Sequence, residues 1–278
     1  MRKDLIEKYG CEVITSRANA RITAYSKLSD KKFRDGQKQF LAEGVKLTEE
    51  ALLYASVSAL LISESAAERE ETESLIASAH AKRAEIVILS ESVFDKVSTE
   101  SAPQGVISVL RYPDNKGLDF STWQSGKRLI MLTEIRDPGN LGTVLRGAES
   151  LGMNGVILDR CADIYNSKTV RASMGSVFRV PAFVTCDGKK CISDLKAAGR
   201  RVFAASLGEN DLVLGKYETK FSDCIVIGNE GHGISDGIKN ECSCCVRIPM
   251  TGKAESMNAA MAATCIMWEY QRNTAEKA

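Results

Sequence analysis

RLIMLTEIRDPGNLGTVLRGAESLGMNGVILD, residues 128–159, is the stretch that decides the fold. An apolar run starts at Leu129 and stops near Thr133, and Asp137-Pro138-Gly139-Asn140 has the composition of a turn. A helical pattern follows over 139–152, and a second apolar run starts at Gly155. Continuous apolar runs joined by a helix read as parallel strands buried on both faces, because a parallel connection needs a crossover element. The alternation continues downstream. Strands start at Val180, Val202 and Ile225, with a last one at Cys245-Val246-Arg247-Ile248, and helices fit 166–174, 190–199 and 256–272. Residues 128–278 therefore read as an α/β domain on a parallel sheet.

Working outward, residues 1–110 form a smaller α/β pattern. Its strands are Phe40-Leu41-Ala42, Val57 to Ser63, Ile86 to Leu89 and Val106 to Leu110. One helix runs through Leu47, Ala51, Leu52 and Ala55, and an exposed one runs from Ser65 to Lys82. RYPDNKGLDFSTWQSGK, residues 111–127, lacks apolar periodicity and reads as a linker. Two domains suit a chain of 278 residues.

Composition excludes several classes. No run of about 18 apolar residues exists, so no membrane span is expected. The charged start MRKDLIEKYG reads as lacking an apolar signal region, which makes the expected location cytoplasmic. Nine cysteines in such a chain read as thiols rather than disulfides. Cys242, Cys244 and Cys245 cluster, but no second cysteine pair or histidine cluster accompanies them, so no metal is expected. Net charge is only +1, yet Arg17, Arg21, Lys27, Lys31, Lys32, Arg34 and Lys38 face only Asp30 and Asp35 in the same segment. That run is either a solvated helix face or a phosphate-contacting surface.

Three segments carry chemistry. The helix after the first turn holds Gly142 and Gly147, which cost stability in a helix and suit close packing or a ligand. IVIGNEGHGI, residues 225–234, runs an apolar strand into Gly228, Gly231 and Gly233, so that backbone can approach a ligand. The spacing is GxxGxG rather than the dinucleotide GxGxxG, and no Gly-Lys-Ser/Thr follows, so NAD is disfavoured and a P-loop is excluded. Glu230 sits mid-turn, and His232 receives no role. IPMTGKAESMNA, residues 248–259, stops a strand at Pro249 and offers Ser256 as a helix N-cap. The following helix has an apolar face through Met257, Ala260, Met261, Ala263, Cys265, Ile266 and Met267, which suits a core or a subunit interface.

Taken together, DPGNLGTVLRGAESLG, IVIGNEGHGIS and IPMTGKAESMNAAMAA resemble the three motifs of the SpoU/TrmH RNA 2′-O-ribose methyltransferases of the SPOUT superfamily. NSKTVRASMGSVFRVP, residues 166–181, is also similar to that family. SRANARITAYSKLSDKKFRDGQKQFLAEG, residues 16–44, resembles the ribosomal-protein-like RNA-binding domain fused upstream in many members. Departures are Met257 for the usual Leu, Gly147 for Thr, and Ala260 near a usual small polar residue.

The resemblance implies a deep trefoil knot, S-adenosylmethionine as cofactor, and a homodimer packed through the last helix. It places Gly228, Ile248 and Met257 at the cofactor, with Ile227, Gly233 and Pro249 beside them. Arg146, Asn140, Glu230, Ser256 and Asn258 match the family's catalytic polar set. A guanidinium is very hard to deprotonate, so Arg146 is expected to hold the ribose 2′-hydroxyl and a phosphate rather than act as base. Asn140 and Glu230 would orient Arg146, while Ser256 and Asn258 would fix the third loop and the ribose. Expected RNA contacts are Arg17, Asn19, Arg21, Lys31, Lys32, Arg34, Lys168 and Arg171. The favoured substrate is large-subunit rRNA. A tRNA substrate, base methylation on the same fold, and a non-catalytic ribosome-assembly factor are the alternatives, and the intact polar set argues against the last two.

Overall fold

The computed structural model describes residues 3–113, 127–207, 211–254 and 256–275. The proposed linker at 111–127 lies outside the described residues from 114 to 126. Two compact units form. The first holds the described residues up to 113 together with Tyr165–Phe178, and the second holds 127–164 and the described residues from Arg179 onward.

In the first unit the elements are α1 (Lys3–Tyr9), β1 (Glu12–Ile14), α2 (Ala20–Ser26), α3 (Lys31–Gln37), β2 (Gln39–Glu43), α4 (Val45–Tyr54) and β3 (Val57–Ser63). They continue with α5 (Glu64–Ala67), α6 (Glu70–Ala81), β4 (Glu85–Leu89), α7 (Glu91–Val97) and β5 (Val106–Arg111). The sheet order is β1-β4-β3-β5-β2, parallel from β1 to β3 and antiparallel across β5. The expected strands are all present. β1 was not expected, since Glu12-Val13-Ile14 is too short to show a period. The helix expected over Ser65–Lys82 is two helices, interrupted where Arg69 turns extended (φ −84°, ψ 137°). Nor is it simply exposed: Thr72, Leu75, Ile76 and Ala79 are buried, and its acidic residues cover the outside.

The segment Tyr165–Phe178 belongs to this unit's packing. Tyr165 lies 4.5 Å from the Phe40 ring and 4.2 Å from the Tyr112 ring, centroid to centroid. Helix α8 (Pro138–Ser150) precedes it in the chain, and α9 (Ser167–Ser173) packs on β2. Arg171 pairs with Glu100, and a Cβ on Gly175 would come within 3.0 Å of Glu50. The sequence pattern alone groups 166–181 with the second domain, because packing partners are invisible in it.

The second unit is a seven-stranded, wholly parallel sheet in the order β10-β12-β9-β11-β6-β7-β8. Its strands are β6 (Leu129–Thr133), β7 (Gly155–Asp159), β8 (Ala182–Thr185), β9 (Val202–Ala205), β10 (Leu212–Val213), β11 (Cys224–Ile227) and β12 (Cys244–Arg247). With α8 go α10 (Gly188–Ala197), α11 (Asp236–Lys239) and α12 (Ala259–Ala275). β6, β7 and β11 are buried throughout, as a sheet covered on both faces requires. β8 begins at Ala182 rather than Val180, because Pro181 cannot donate to a ladder. The two-residue β10 and the four-residue α11 were not expected and are too short to carry a period. No helix among the described residues is long and apolar enough to cross a membrane.

Removing residues 1–110 should therefore do more than delete a binding module. It strips Phe40, Glu50 and Glu100 from the segment 165–178. A chain starting at residue 111 should show proteolytic cleavage within 165–178 that the full chain resists. Equal protection of that segment in both chains would refute this.

Candidate active site

All parallel strands end on one edge, and loops from four of them meet there. The first follows β6. Asp137 caps α8 by accepting from the Asn140 amide nitrogen at 2.7 Å, with Pro138 in the first turn where no N–H is needed. Glu134 sits between strand and helix in the left-handed region (φ +57°), which is strained for a residue with a Cβ. That turn aims its carbonyl at the second loop, where Asn229 Nδ2 donates to it at 2.8 Å.

The second loop follows β11 and folds back on itself. Asn229 and Gly233 exchange two backbone hydrogen bonds of 3.0 Å, and Asn229 Oδ1 accepts from the Gly231 amide at 2.8 Å. Gly228 is a glycine because of this crossing. A Cβ there would lie 2.4 Å from the Gly233 carbonyl carbon. The expectation that Gly228 is small to admit a ligand is thus incomplete, since the chain's own backbone already fills that space. Gly233 needs its freedom for φ +69°.

The third loop follows β12 and leads into α12. Asn258, rather than Ser256, is the N-cap: its Oδ1 accepts from Ala260 N at 2.9 Å and Met261 N at 3.3 Å. α12 accordingly starts at Ala259 and not at 256. Ser256 is exposed at the edge of a cleft.

A row of side chains ties the three loops together. Asn258 Nδ2 donates to Asn140 Oδ1 at 3.0 Å, and Asn140 Nδ2 donates to Glu230 Oε1 at 2.8 Å. Four of the five expected catalytic residues thus fall together, three in this row and Ser256 on the cleft. Arg146 does not join them. It is exposed on α8, does not line the cleft, and has no side-chain hydrogen bond or ion pair among the described residues. The expectation that Asn140 and Glu230 orient it is not met within one chain, because they bond each other instead.

The cleft has a volume of about 410 Å³, inside the roughly 300–1,000 Å³ typical of small-molecule sites. Gly228, Ile227, Gly233, Ile248 and Met257 line it. Pro249 is exposed and does not. The sequence reading missed Ser206 and Leu207 beyond β9, and Met250 in the third loop. The position of β9 beside β11 could have signalled them, but strand order is not written in the alternation. His232 Nε2 lies 3.2 Å from Glu134 Oε2, so it braces the second loop from its outer side, beside Arg160 at 3.3 Å from the same carboxylate.

No group of three or more His, Cys, Asp or Glu among the described residues could hold a metal ion. Burial pushes the Cys242 thiol up to about 12, whereas a metal ligand must be a thiolate.

The expected RNA contacts divide sharply. Arg34 is buried (3% exposed) and donates to the carbonyls of Leu28 and Ser29 at 2.7 and 2.8 Å, so it cannot reach a phosphate. Asn19 caps α2, and Arg21 is paired with Glu12 and Glu85. Arg17 Nη1 donates to the Ser92 carbonyl, Lys31 pairs with Asp35, and Arg171 with Glu100. Lys32 and Lys168 are exposed, with no side-chain bond among the described residues.

Comparison with known proteins adds independent support. The profile of the SpoU rRNA Methylase family matches residues 127–268, and that of the MRM3-like substrate binding domain matches 19–108. The chain is 30% identical over 257 residues to the 23S rRNA (guanosine(2553)-2′-O)-methyltransferase RlmP of Bacillus subtilis, covering 92% of this chain and 97% of the relative. Its fold is similar to that of an AdoMet-bound rRNA methyltransferase from Sinorhizobium meliloti, with TM-score 0.81 and 29% identity, over 94% of this chain and 98% of that one. The SpoU methyltransferase AviRb of Streptomyces viridochromogenes, in complex with AdoMet, gives TM-score 0.80 and 26% identity, over 93% and 100%.

The glycine loop makes a graded prediction. Gly231→Ala should be tolerated, since its Cβ would stand 3.5 Å from Asn229 Oδ1. Gly233→Ala should cost about 1–2 kcal/mol for its left-handed backbone. Gly228→Ala should cost most, about 3 kcal/mol, because backbone must move. Denaturant unfolding of the three variants checks the order, and a Gly228→Ala protein as stable as Gly231→Ala would refute the crossing.

Proposed function

Because this chain belongs to the SpoU rRNA methylase family, we propose that it is an S-adenosylmethionine-dependent RNA 2′-O-ribose methyltransferase of large-subunit rRNA. The observation that carries the proposal is the row Asn258–Asn140–Glu230 standing at the rim of an apolar cleft. The cleft suits the cofactor chemically. Ile227, Val246, Ile248 and Met257 offer apolar walls for an adenine ring, and the Gly228–Gly233 backbone offers polar groups at close range. S-adenosylmethionine supplies there a methyl group on a sulfonium cation.

The chain's own residues then have distinct tasks. Glu230 places a carboxylate at the rim, a favourable field for a cation. Asn140 holds that carboxylate in place and is itself held by Asn258. Arg146 holds the ribose hydroxyl and its neighbouring phosphate, for which a planar fork of donors is suited. The methyl would pass from the sulfonium to the 2′-oxygen, leaving a neutral thioether, with the hydroxyl proton passing to solvent water. Alignment of the two groups can lower the barrier by roughly 7–11 kcal/mol. A 2′-hydroxyl makes the substrate RNA rather than DNA. The relative from Bacillus subtilis favours rRNA over tRNA. An rRNA substrate supports a cytoplasmic location for the protein. The trefoil knot implied by the family is part of the same reading.

The site is completed in a homodimer. Met261 (60% exposed), Cys265 and Trp268 (57% exposed) recur at i, i+4 and i+7 on α12 and form an outward apolar stripe. The stripe differs from the expected one: Ile266 and Met267 are buried against the chain's own core. Trp268→Glu should convert a dimer into a monomer by light scattering and abolish methylation. A wild-type chain that is monomeric at micromolar concentration would refute the dimer.

Arg146→Ala should lower the single-turnover methylation rate at least about a hundredfold, the scale of a lost transition-state donor. Cofactor affinity by calorimetry should stay unchanged, and Arg146→Lys should rescue poorly. If Arg146→Ala keeps the wild-type rate at saturating RNA and raises only KM, Arg146 contributes uniform binding and the role fails.

A further inference from the structure

Helix α3 buries its arginine and exposes its phenylalanine, the reverse of what solvation favours. Arg34 is turned inward, 3% exposed, and its two carbonyl bonds to Leu28 and Ser29 fix the 3-10 turn Lys27–Ser29 against the helix. Phe33 is 37% exposed as a result. The same turn brings Lys27 Nζ to 5.2 Å from the Phe33 ring centroid. Lys32, the adjacent residue, is exposed and makes no side-chain bond among the described residues. Asp30 is occupied as the cap of α3, and Asp35 is occupied by Lys31 at 2.9 Å and Tyr112 at 3.0 Å. What remains on this surface is a partly exposed aromatic ring with Lys27 beside it and Lys32 next in the chain, neither lysine in an ion pair among the described residues.

We propose that Phe33, flanked by Lys27 and Lys32, is a stacking platform for an unpaired nucleobase of the RNA substrate. The inference rests on the RNA reading above and sharpens it to single-stranded RNA. An aromatic ring accepts any base on its face, while lysines beside it meet the flanking phosphates, the combination by which single strands are bound. A duplex offers phosphates but no free base face, so it can use the lysines and not the ring.

The experiment uses the full chain, a fluorescent oligoadenylate of about 12 nucleotides and a duplex RNA of equal length, a size within single-strand footprints. Binding is read by anisotropy over a salt series. Phe33→Leu should weaken oligoadenylate binding roughly five- to hundredfold with an unchanged salt slope, and leave duplex binding as it was. Phe33→Tyr should restore it. Lys32→Ala should instead weaken both RNAs and flatten the slope by about 0.7–0.9. Unfolding midpoint and cofactor affinity should not move in Phe33→Leu, which separates binding from folding. Wild-type affinity for oligoadenylate in Phe33→Leu, or equal losses on both RNAs, overturns the platform while leaving the RNA reading intact. A wild-type chain that binds neither RNA overturns both.

Discussion

The amide of Asn140 is the point on which the site depends. It stands between an acceptor, the Glu230 carboxylate, and a donor, the Asn258 amide. A residue in that position must donate on one side and accept on the other, and must be short enough to do so from the first turn of a helix. Asn meets this. Asp would face Glu230 with like charge, and Ala would leave both neighbours unpaired. Two hydrogen bonds, one spanning 90 residues of chain and the other 118, thereby fix three segments to one another. These bonds are exposed, so each contributes little to stability, but they set where each loop points.

The loops can be held so lightly because the sheet beneath them is not negotiable. β6 and β11 pair in register from Leu129 with Cys224 to Leu132 with Ile227, and both are buried throughout. Their carboxyl ends are therefore fixed, and only the connections remain to be shaped. The 229–233 connection shapes itself by its two backbone bonds, at the cost of admitting no Cβ at Gly228. Glu134 contributes the complementary strain, taking a left-handed backbone so that its carbonyl meets Asn229 while its carboxylate meets His232. Strain at such positions persists only where surrounding contacts hold it, and site loops are where it is found.

Periodicity made the large strands and helices legible, since burial on both faces writes continuous apolar runs and a helix writes its own spacing. It could not show β1, β10 or α11, which are two to four residues long. It could not show that 165–178 packs with the first unit, because Tyr165 and Phe40 are far apart in sequence. Within the site, residue types in motif order led to Asn140, Glu230, Ser256 and Asn258. The bonds among them were not legible, and so the cap was placed at Ser256 and the orienting bonds at Arg146. The basic run 17–38 was the least legible part. Formal charge counts Arg21, Lys31 and Arg34 equally with Lys32, while folding pairs the first two with carboxylates and buries the third.

The same helix that receives the Asn258 cap also links the site to the proposed dimer. α12 packs on α8 where Gly147 stands, and a Cβ there would lie 3.1 Å from Met267 Cε and 3.4 Å from Thr264 Oγ1. α8 carries Asn140 in its first turn and Arg146 next to that contact. Asn140–Asn258 at one end and Gly147 against α12 farther along therefore hold the two helices as one piece. The outer side of that piece bears Met261, Cys265 and Trp268. A second copy seated on the stripe would stand close to Arg146, whose guanidinium has no partner among the described residues of its own chain. Dimerisation would then do two things at once: cover apolar surface that a single chain exposes, and enclose the one cation of the polar set that the single chain leaves in solvent. A guanidinium so enclosed acts on a substrate phosphate with far less screening than at an open surface. On the proposed reading, assembly and catalysis would meet on this one pair of helices.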